Sequence, residues 1–190
     1  MDYLYEDLVS RYSKNFIHVI VPKAKIEKIK RFVGEIIEAK RKEDIYALDY
    51  TSVEKRFITG LMGEAALEEL LGIDIIEWTV GDSMKYSHPD ICKLGVGVKT
   101  VERNKFPIIF KKNRYPQIIC VKSDKREDVI FVCGLATVEV LNRFQSDTLV
   151  IRQELVDRGS KTGFYGFCKL KRIECIDDIK NCGHGEKDRL

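Results

Sequence analysis

The stretch Ser87–Val101 (SHPDICKLGVGVKTV) decides the fold, because it leads from a turn directly into a strand. Its second half alternates in the manner of a β-strand whose two faces differ. Lys99 stands in the middle of that strand between apolar residues, where lysine is uncommon unless it has a function or a carboxylate partner. Asp90 follows Pro89, nine residues before the lysine. The segment therefore predicts a turn carboxylate followed by a strand lysine.

A buried helix is predicted upstream of this segment, over residues 51–71. Thr51 and Glu54 form a capping-box pattern at its start, and Gly72 favours its end. Its middle, FITGLMGEAALEELL, is apolar almost all round, so we expect the helix to be largely buried. Glu64 is the exception. A carboxylate there needs a partner or a metal, because burying it alone costs several kcal/mol.

Further elements are predicted on both sides of this core. Before it we predict a helix, a strand and a basic amphipathic helix, over residues 3–13, 16–21 and 24–44. After the buried helix we predict five more strands besides the lysine strand, with a helix among them: strands 73–80, 118–122, 129–135, 148–152 and 164–170, and helix 137–144. Helices precede a strand-rich half, which indicates an α/β (α+β) fold with a central mixed sheet flanked by helices.

Length and composition indicate one domain in a soluble, intracellular protein. The chain has 190 residues, of which 44% are hydrophobic and 33% charged, enough for one core. No apolar run reaches the roughly 18–20 residues of a membrane-spanning helix. The first twenty residues are too charged for a signal peptide. We expect a cytoplasmic protein with no membrane partner, with one domain over residues 1–180 and a flexible tail over 181–190.

Positive charge is concentrated in one window of the chain. Between Lys99 and Arg126 there are nine basic and two acidic residues, so this window carries +7 in a chain of net charge +3. A polyanion such as nucleic acid favours such an asymmetry, because phosphate contacts release condensed counterions. A solvated, lysine-rich surface loop explains the charge equally well.

The order of Glu64, Asp90 and Lys99 resembles that of the PD-(D/E)XK phosphodiesterase superfamily, which includes many restriction endonucleases. In that superfamily a helix glutamate precedes a three-stranded meander, with Pro-Asp on its second strand and acidic-x-Lys on its third. The similar segments here are GLMGEAALEELLG, SHPDICKLG and GVGVKT. The resemblance covers about residues 52–138. It implies a restriction-endonuclease-like core with an N-terminal helical extension over residues 1–48.

The resemblance also implies an activity, a cofactor and a site. It implies a metal-dependent nuclease, expected to be an endonuclease that acts on DNA rather than RNA. The expected cofactor is Mg²⁺, for which Mn²⁺ could substitute. Mg²⁺ prefers oxygen ligands, which Glu64, Asp90 and the backbone carbonyl of Val98 would supply. Lys99 would orient the attacking water and stabilise the charge that develops on the phosphate. The sequence does not decide the oligomeric state. A homodimer is possible, because cutting both strands of a duplex commonly requires two sites.

One position departs from the superfamily pattern, since Gly97 stands where an acidic residue is usual. Some members relocate that carboxylate to the helix, and Glu64 is well placed to serve. Glu102 is a poor substitute because it faces the opposite side of the strand from Lys99, and Glu77 is a weaker candidate. Without a completing acid, the chain is a catalytically inactive nuclease-fold module that binds nucleic acid or protein. A third interpretation is an unrelated α/β domain whose basic segment binds another anion.

The predicted nucleic-acid contacts lie directly after the lysine strand. A loop between Pro107 and Pro116 follows that strand, and its residues Lys111, Lys112, Arg114 and Tyr115 would lie near the phosphate backbone. Arg103 and Lys105, between the strand and this loop, are expected to do the same. The predicted contact residues are Arg103, Lys105, Lys111, Lys112 and Arg114.

The residues alone also leave ordinary structural roles open for the three central groups. These roles are Glu64 paired with an arginine, Asp90 as a turn residue, and Lys99 as an edge-strand lysine that prevents aggregation.

Overall fold

The computed structural model describes residues 2–43, 50–80, 89–150, 157 and 159–183. The helices are α1 (Asp2–Leu8), α2 (Lys23–Glu43), α3 (Tyr50–Leu71), α4 (Val138–Arg143) and α5 (Ile176–Gly183). The strands are β1 (Ile17–Ile20), β2 (Gly97–Glu102), β3 (Ile108–Phe110), β4 (Gln117–Lys122), β5 (Val129–Ala136), β6 (Gln145–Ser146) and β7 (Lys161–Phe164). None of these helices is both long and apolar enough to cross a membrane.

Two sheets form the centre of the described structure. The first has the strand order β1-β5-β4-β2, in which β5 runs antiparallel to both its neighbours and β2 runs parallel to β4. The second is antiparallel, with the order β3-β7-β6. The predicted mixed sheet is therefore confirmed, and its lysine strand β2 is an edge strand. The second sheet was not predicted, because its strands have only two to four residues each.

Strand β4 separates two hydrophobic cores. Ile118 and Cys120 pack with α2 and α3, whereas Ile119 and Val121 pack in the core that contains the second sheet, α1 and α4. Successive strand residues point to opposite faces, so an almost wholly apolar strand serves both cores at once. Helices flank both faces of the mixed sheet, as predicted.

Helix α3 crosses close to β2 at a glycine. An ideal Cβ on Gly63 would overlap the hydroxyl of Thr100, so a larger residue would separate the helix from the strand. Met62 and Ala65 on either side are completely buried, which confirms that the helix lies largely in the core. Because Glu64 follows Gly63 directly, this contact holds the carboxylate beside β2.

The predicted strand over residues 73–80 is wrong, because this segment has irregular backbone. Glu68 Oε1 accepts hydrogen bonds of 2.8 Å from the backbone N–H groups of Ile75 and Ile76. Lys25 Nζ lies 3.0 Å from the other carboxylate oxygen of Glu68. The donors that a strand would use in a ladder are thus bonded to a side chain. Among the described residues between α3 and β2, with residues 81–88 lying outside them, the predicted three-stranded meander is represented only by an isolated bridge between Ile91 and Val96.

Smaller differences concern element ends. Helix α3 already includes Tyr50, so Thr51 lies within the helix and not at its first residue. The predicted strand over 148–152 is wrong where it is described, because Ser146 caps a 3₁₀ turn at Asp147–Leu149; residues 151 and 152 lie outside the described residues. A second 3₁₀ turn, at Phe167–Lys169, replaces the strand expected over 164–170.

The C-terminal ends of two helices can be compared with the predicted boundaries. Helix α2 ends at Glu43 in the described structure, and the expected last helical residue, Asp44, lies outside it. Helix α5 extends to Gly183, so the first residues of the predicted tail are helical. The rest of that tail, residues 184–190, lies outside the described residues.

Candidate active site

Asp90 lies in the turn before β2 and is bonded to that strand. The Val98 N–H donates a hydrogen bond of 2.5 Å to Asp90 Oδ2. The Gly97 N–H points the other way and donates to the carbonyl of Pro116, 2.9 Å away, next to β4. In a strand, the N–H and C=O groups of one residue face the same edge. The Val98 carbonyl therefore faces the open edge of the sheet, on the side of Asp90.

Glu64 approaches Asp90 from helix α3. Burial raises the pKa of Glu64 to about 8, and the negative charges of Asp90 and Glu68 add to this rise. Burial also raises the pKa of Asp90, which the Val98 N–H and the Lys99 charge offset only in part. Asp90 nevertheless stays accessible to solvent, and Glu64 is half-buried. Two acidic groups that repel each other at an accessible edge form a place where a cation is favoured.

Glu64 forms no ion pair within the described residues, so pairing with an arginine does not explain its position. Its nearest charged neighbours that influence its pKa are the acids Asp90 and Glu68. Glu68 is itself neutralised by Lys25 and by two backbone N–H groups. Glu64 and Asp90 therefore remain as an acidic pair, in which only Asp90 is partly compensated, by the Val98 N–H and the Lys99 charge.

Lys99 is half-buried on β2 and completes the group. Burial lowers the pKa of Lys99 to about 8; the positive charges of Lys161 and Arg56 act in the same direction, and the negative charge of Asp90 opposes them. Asp90 is thus in electrostatic contact with both Glu64 and Lys99. Sequence position alone predicts nothing about Lys161 or Arg56, because they reach this neighbourhood from β7 and α3.

Tyr115 occupies the space beside Gly97, where the superfamily pattern has an acidic side chain. An ideal Cβ on Gly97 would lie 2.9 Å from Tyr115 Cε2 and 3.4 Å from Asp90 Oδ2. A side chain at position 97 would therefore point towards Asp90, but the tyrosine ring already fills this space. The sequence places Tyr115 in the loop expected near the phosphate backbone, but it does not predict the contact with Gly97. The role of Tyr115 follows only from the parallel pairing of β2 with β4, which places Gly97 opposite Gln117.

The other acids considered from the sequence do not join the site. Glu102 lies at the far end of β2, where it pairs with Lys55 at 2.8 Å and with Lys105 at 2.5 Å. Glu77 is exposed on irregular backbone. Within the part of the chain that the structure describes, no group of three or more His, Cys, Asp or Glu side chains is arranged to hold a metal ion. The oxygen donors at the site are two carboxyl groups and the Val98 carbonyl.

The predicted nucleic-acid contacts divide into two groups. Arg103 follows Lys99 by four residues, about 13 Å along a strand, and its Nη1 lies 3.6 Å from Asp124. Lys105 is next to it and pairs with Glu102. Arg103 also lines a cavity of about 430 Å³ at this end of β2, well away from Asp90. These two residues therefore lie apart from the candidate site.

The remaining three predicted contacts lie in the loop between β3 and β4. Lys111 Nζ pairs with Asp147 at 2.7 Å. Lys112 and Arg114 are exposed and form no ion pair among the described residues. Arg114 immediately precedes Tyr115, which contacts the strand beside Asp90, so this loop reaches the candidate site.

Comparison with known proteins gives no match: no family model, no curated protein and no solved structure is similar to this chain. The resemblance to the PD-(D/E)XK superfamily accordingly stays a prediction from the quoted residues.

Proposed function

We propose that this chain is a metal-dependent phosphodiesterase with a restriction-endonuclease-like core, a nuclease for which DNA is the expected substrate. The observation that carries the proposal is the position of Asp90. It is hydrogen-bonded to β2, repelled by Glu64 from α3 and attracted by Lys99. Two carboxyl groups next to a lysine can hold a divalent cation and a positive charge beside one phosphate, which favours phosphodiester hydrolysis.

The donor set fits Mg²⁺, with Mn²⁺ as a substitute. Glu64, Asp90 and the Val98 carbonyl would hold the ion, and all three present the oxygen ligands that hard divalent cations prefer. The raised pKa of Glu64 supports this assignment, because it comes in part from repulsion by Asp90, which a cation would replace with attraction. When bound, the ion would polarise a phosphate oxygen and lower the pKa of a water molecule.

The protein's own groups orient the acid and stabilise the charge that develops on the phosphate. The Val98 N–H holds the Asp90 carboxylate in one orientation before any substrate binds. Lys99 is half-buried, so its charge is screened less by water and interacts more strongly with charge that develops on a phosphate oxygen. With a pKa of about 8, Lys99 is protonated in most molecules at pH 7, as this role requires.

A nuclease-fold module that binds without cutting is the second candidate, and Gly97 with Tyr115 favours it. The space of the usual third acid is filled by an aromatic ring. Two carboxyl groups hold a divalent cation more weakly than three. In such a module the exposed basic side chains Lys112 and Arg114 would bind a nucleic-acid backbone, but no hydrolysis would follow.

The test is cleavage of plasmid DNA and of RNA in Mg²⁺, in Mn²⁺ and in EDTA. We expect cleavage that needs the metal and is lost in Asp90→Asn and Lys99→Met. Glu77→Gln, which removes an exposed acid away from the site, is the matched control and should cut normally. Nucleic acid that is bound but never cut identifies the binding module. If neither cutting nor binding occurs at low salt, both candidates are wrong.

A further inference from the structure

We propose that Phe110 stacks on an unpaired nucleobase, so that the substrate of the proposed nuclease contains a single-stranded stretch beside the scissile phosphate. The second half of this inference rests on the proposed function, and the first half does not. It names the form of nucleic acid, which the site around Asp90 leaves open.

Phe110 is exposed where an aromatic ring is normally buried. It is the last residue of β3, an edge strand of the small sheet, and it is 50% exposed. The other large exposed apolar side chains among the described residues, Leu4 and Ile20, are aliphatic. Every nucleobase has a flat face that stacks on an aromatic ring, but in a duplex these faces are covered by neighbouring bases. An exposed ring therefore selects an unpaired base.

Positive charge lies beside the ring on the neighbouring strand and follows it in the next loop. Lys161 is the register partner of Phe110, and its Nζ lies 5.0 Å from the ring centroid. Lys112 and Arg114 follow in the next loop, are exposed, and form no ion pair among the described residues. An aromatic ring bordered by cations complements a strand that offers a base face and phosphates together.

The loop that carries these cations is held in place before any ligand binds. Buried Asn113 donates from Nδ2 to the Phe110 carbonyl at 2.8 Å and to Asn142 Oδ1 at 3.1 Å. Its backbone N–H donates to the same Asn142 oxygen at 3.0 Å. Gln145 Nε2 also donates to the Lys111 carbonyl at 3.2 Å. Ordering this loop therefore costs little binding energy when a ligand arrives.

The ring and the candidate active site belong to one surface. The loop begins at Phe110 and ends at Tyr115, whose ring packs against Gly97 beside Asp90. On the other side, Lys161 lies near the Phe110 ring and its charge also acts on Lys99. A base stacked on Phe110 would thus leave its backbone between Lys161 and the loop cations, leading towards Asp90.

The test compares two fluorescein-labelled oligomers of equal length and charge, a 12-nucleotide thymine oligomer and its abasic equivalent. Binding is measured by anisotropy in EDTA, so that cleavage plays no part. We expect the wild-type protein to bind the thymine oligomer about tenfold more tightly. Phe110→Ala should remove this difference, and Phe110→Tyr should keep it. Ile20→Ala should also keep it, because it removes an exposed apolar side chain from β1, an edge strand of the four-stranded sheet.

Three results would overturn the inference: equal binding of the two oligomers by the wild type, no binding of either, or an equal loss of both in Phe110→Ala. The outcome is independent of catalysis. A base preference without any cleavage contradicts only the nuclease proposal. Cleavage without a base preference contradicts only the role of Phe110.

Discussion

The backbone N–H of Val98 donates a hydrogen bond of 2.5 Å to Asp90 Oδ2, and this bond joins the turn before β2 to the strand that carries Lys99. The strand backbone therefore fixes the position of the Asp90 carboxylate. The bond also keeps Asp90 near Lys99, nine positions further on, whose positive charge lowers the pKa of Asp90. Substitutions at Asp90 should therefore separate its structural role from its chemical one.

Asp90→Asn and Asp90→Ala should both abolish cleavage but differ in stability. The asparagine oxygen still accepts the Val98 hydrogen bond, whereas alanine loses this solvent-accessible bond at a cost of about 0.5–1.5 kcal/mol. Urea unfolding of both variants in EDTA measures the difference. Equal stability of the two variants would show that the bond to Val98 contributes nothing.

Gly97→Ala should destabilise the protein through Tyr115. The added Cβ would lie 2.9 Å from the tyrosine ring, and forcing an atom into a filled space costs about 1–3 kcal/mol. Tyr115→Ala removes the obstacle, so the double variant should lose less stability than the two single losses added together. Urea unfolding of all four proteins gives this coupling, and strictly additive losses would contradict the contact.

Gly63→Ala should separate α3 from β2, because its Cβ would overlap the hydroxyl of Thr100. We expect a loss of stability of at least about 1–3 kcal/mol and a loss of cleavage, since Glu64 moves with the helix. Gly60→Ala is the matched control on the same helix. No atom lies within 4 Å of its added Cβ, so it should stabilise by about 0.5–1 kcal/mol. The measurement is thermal unfolding together with cleavage.

The sequence predicts best where one residue's chemistry decides its surroundings. Glu64 and Lys99 stand out as charges on apolar elements, and both lie half-buried near Asp90. The apolar β4 and β5 are likewise predicted from their composition. The strand expected over residues 73–80 fails because the competing Glu68 carboxylate, one helix turn away from Leu71, takes its backbone donors.

The rest of the site depends on contacts between distant parts of the chain. Tyr115 and Lys161 enter it through strand pairing, with β4 in one sheet and β7 in the other. Nearness in the sequence predicts that Arg103 lies close to Lys99, but each strand residue adds about 3.3 Å of distance between them. No local pattern contains this information.

The stability of the metal-free protein should fall as the pH rises from about 4.5 to about 8. Burial raises the pKa of Glu64 from its ordinary 4.5 to about 8 in the folded state. The folded state therefore prefers the protonated acid, and this stabilisation is complete below pH 4.5 and lost as pH rises through the folded pKa. Urea unfolding in EDTA across this range should show a steeper decline for the wild type than for Glu64→Gln.

Parallel pH profiles for these two proteins would contradict the pKa of Glu64. Added Mg²⁺ is the second arm of this experiment. It should reduce the decline in the wild type, because an ion that binds the ionised carboxylate stabilises the folded state at higher pH. It should have little effect on Glu64→Gln.

The two groups of basic residues should differ in nucleic-acid binding. Lys112→Ala and Arg114→Ala should each weaken binding and reduce the slope of log affinity against log salt by about 1. Lys105→Ala should change the slope little, because Lys105 pairs with Glu102 at the far end of β2. Anisotropy titrations at four salt concentrations give the slopes. Equal changes in all three variants would mean that binding follows net charge alone.

The central claim is that Glu64 and Asp90 hold a single divalent ion beside Lys99, and a Mn²⁺ titration followed by electron paramagnetic resonance tests it most directly. We predict one bound Mn²⁺ per wild-type chain, its loss in the folded Asp90→Asn and Glu64→Gln variants, and its retention in Lys99→Met. Binding that is absent from the wild type, or unchanged when either acid is replaced, would contradict the claim.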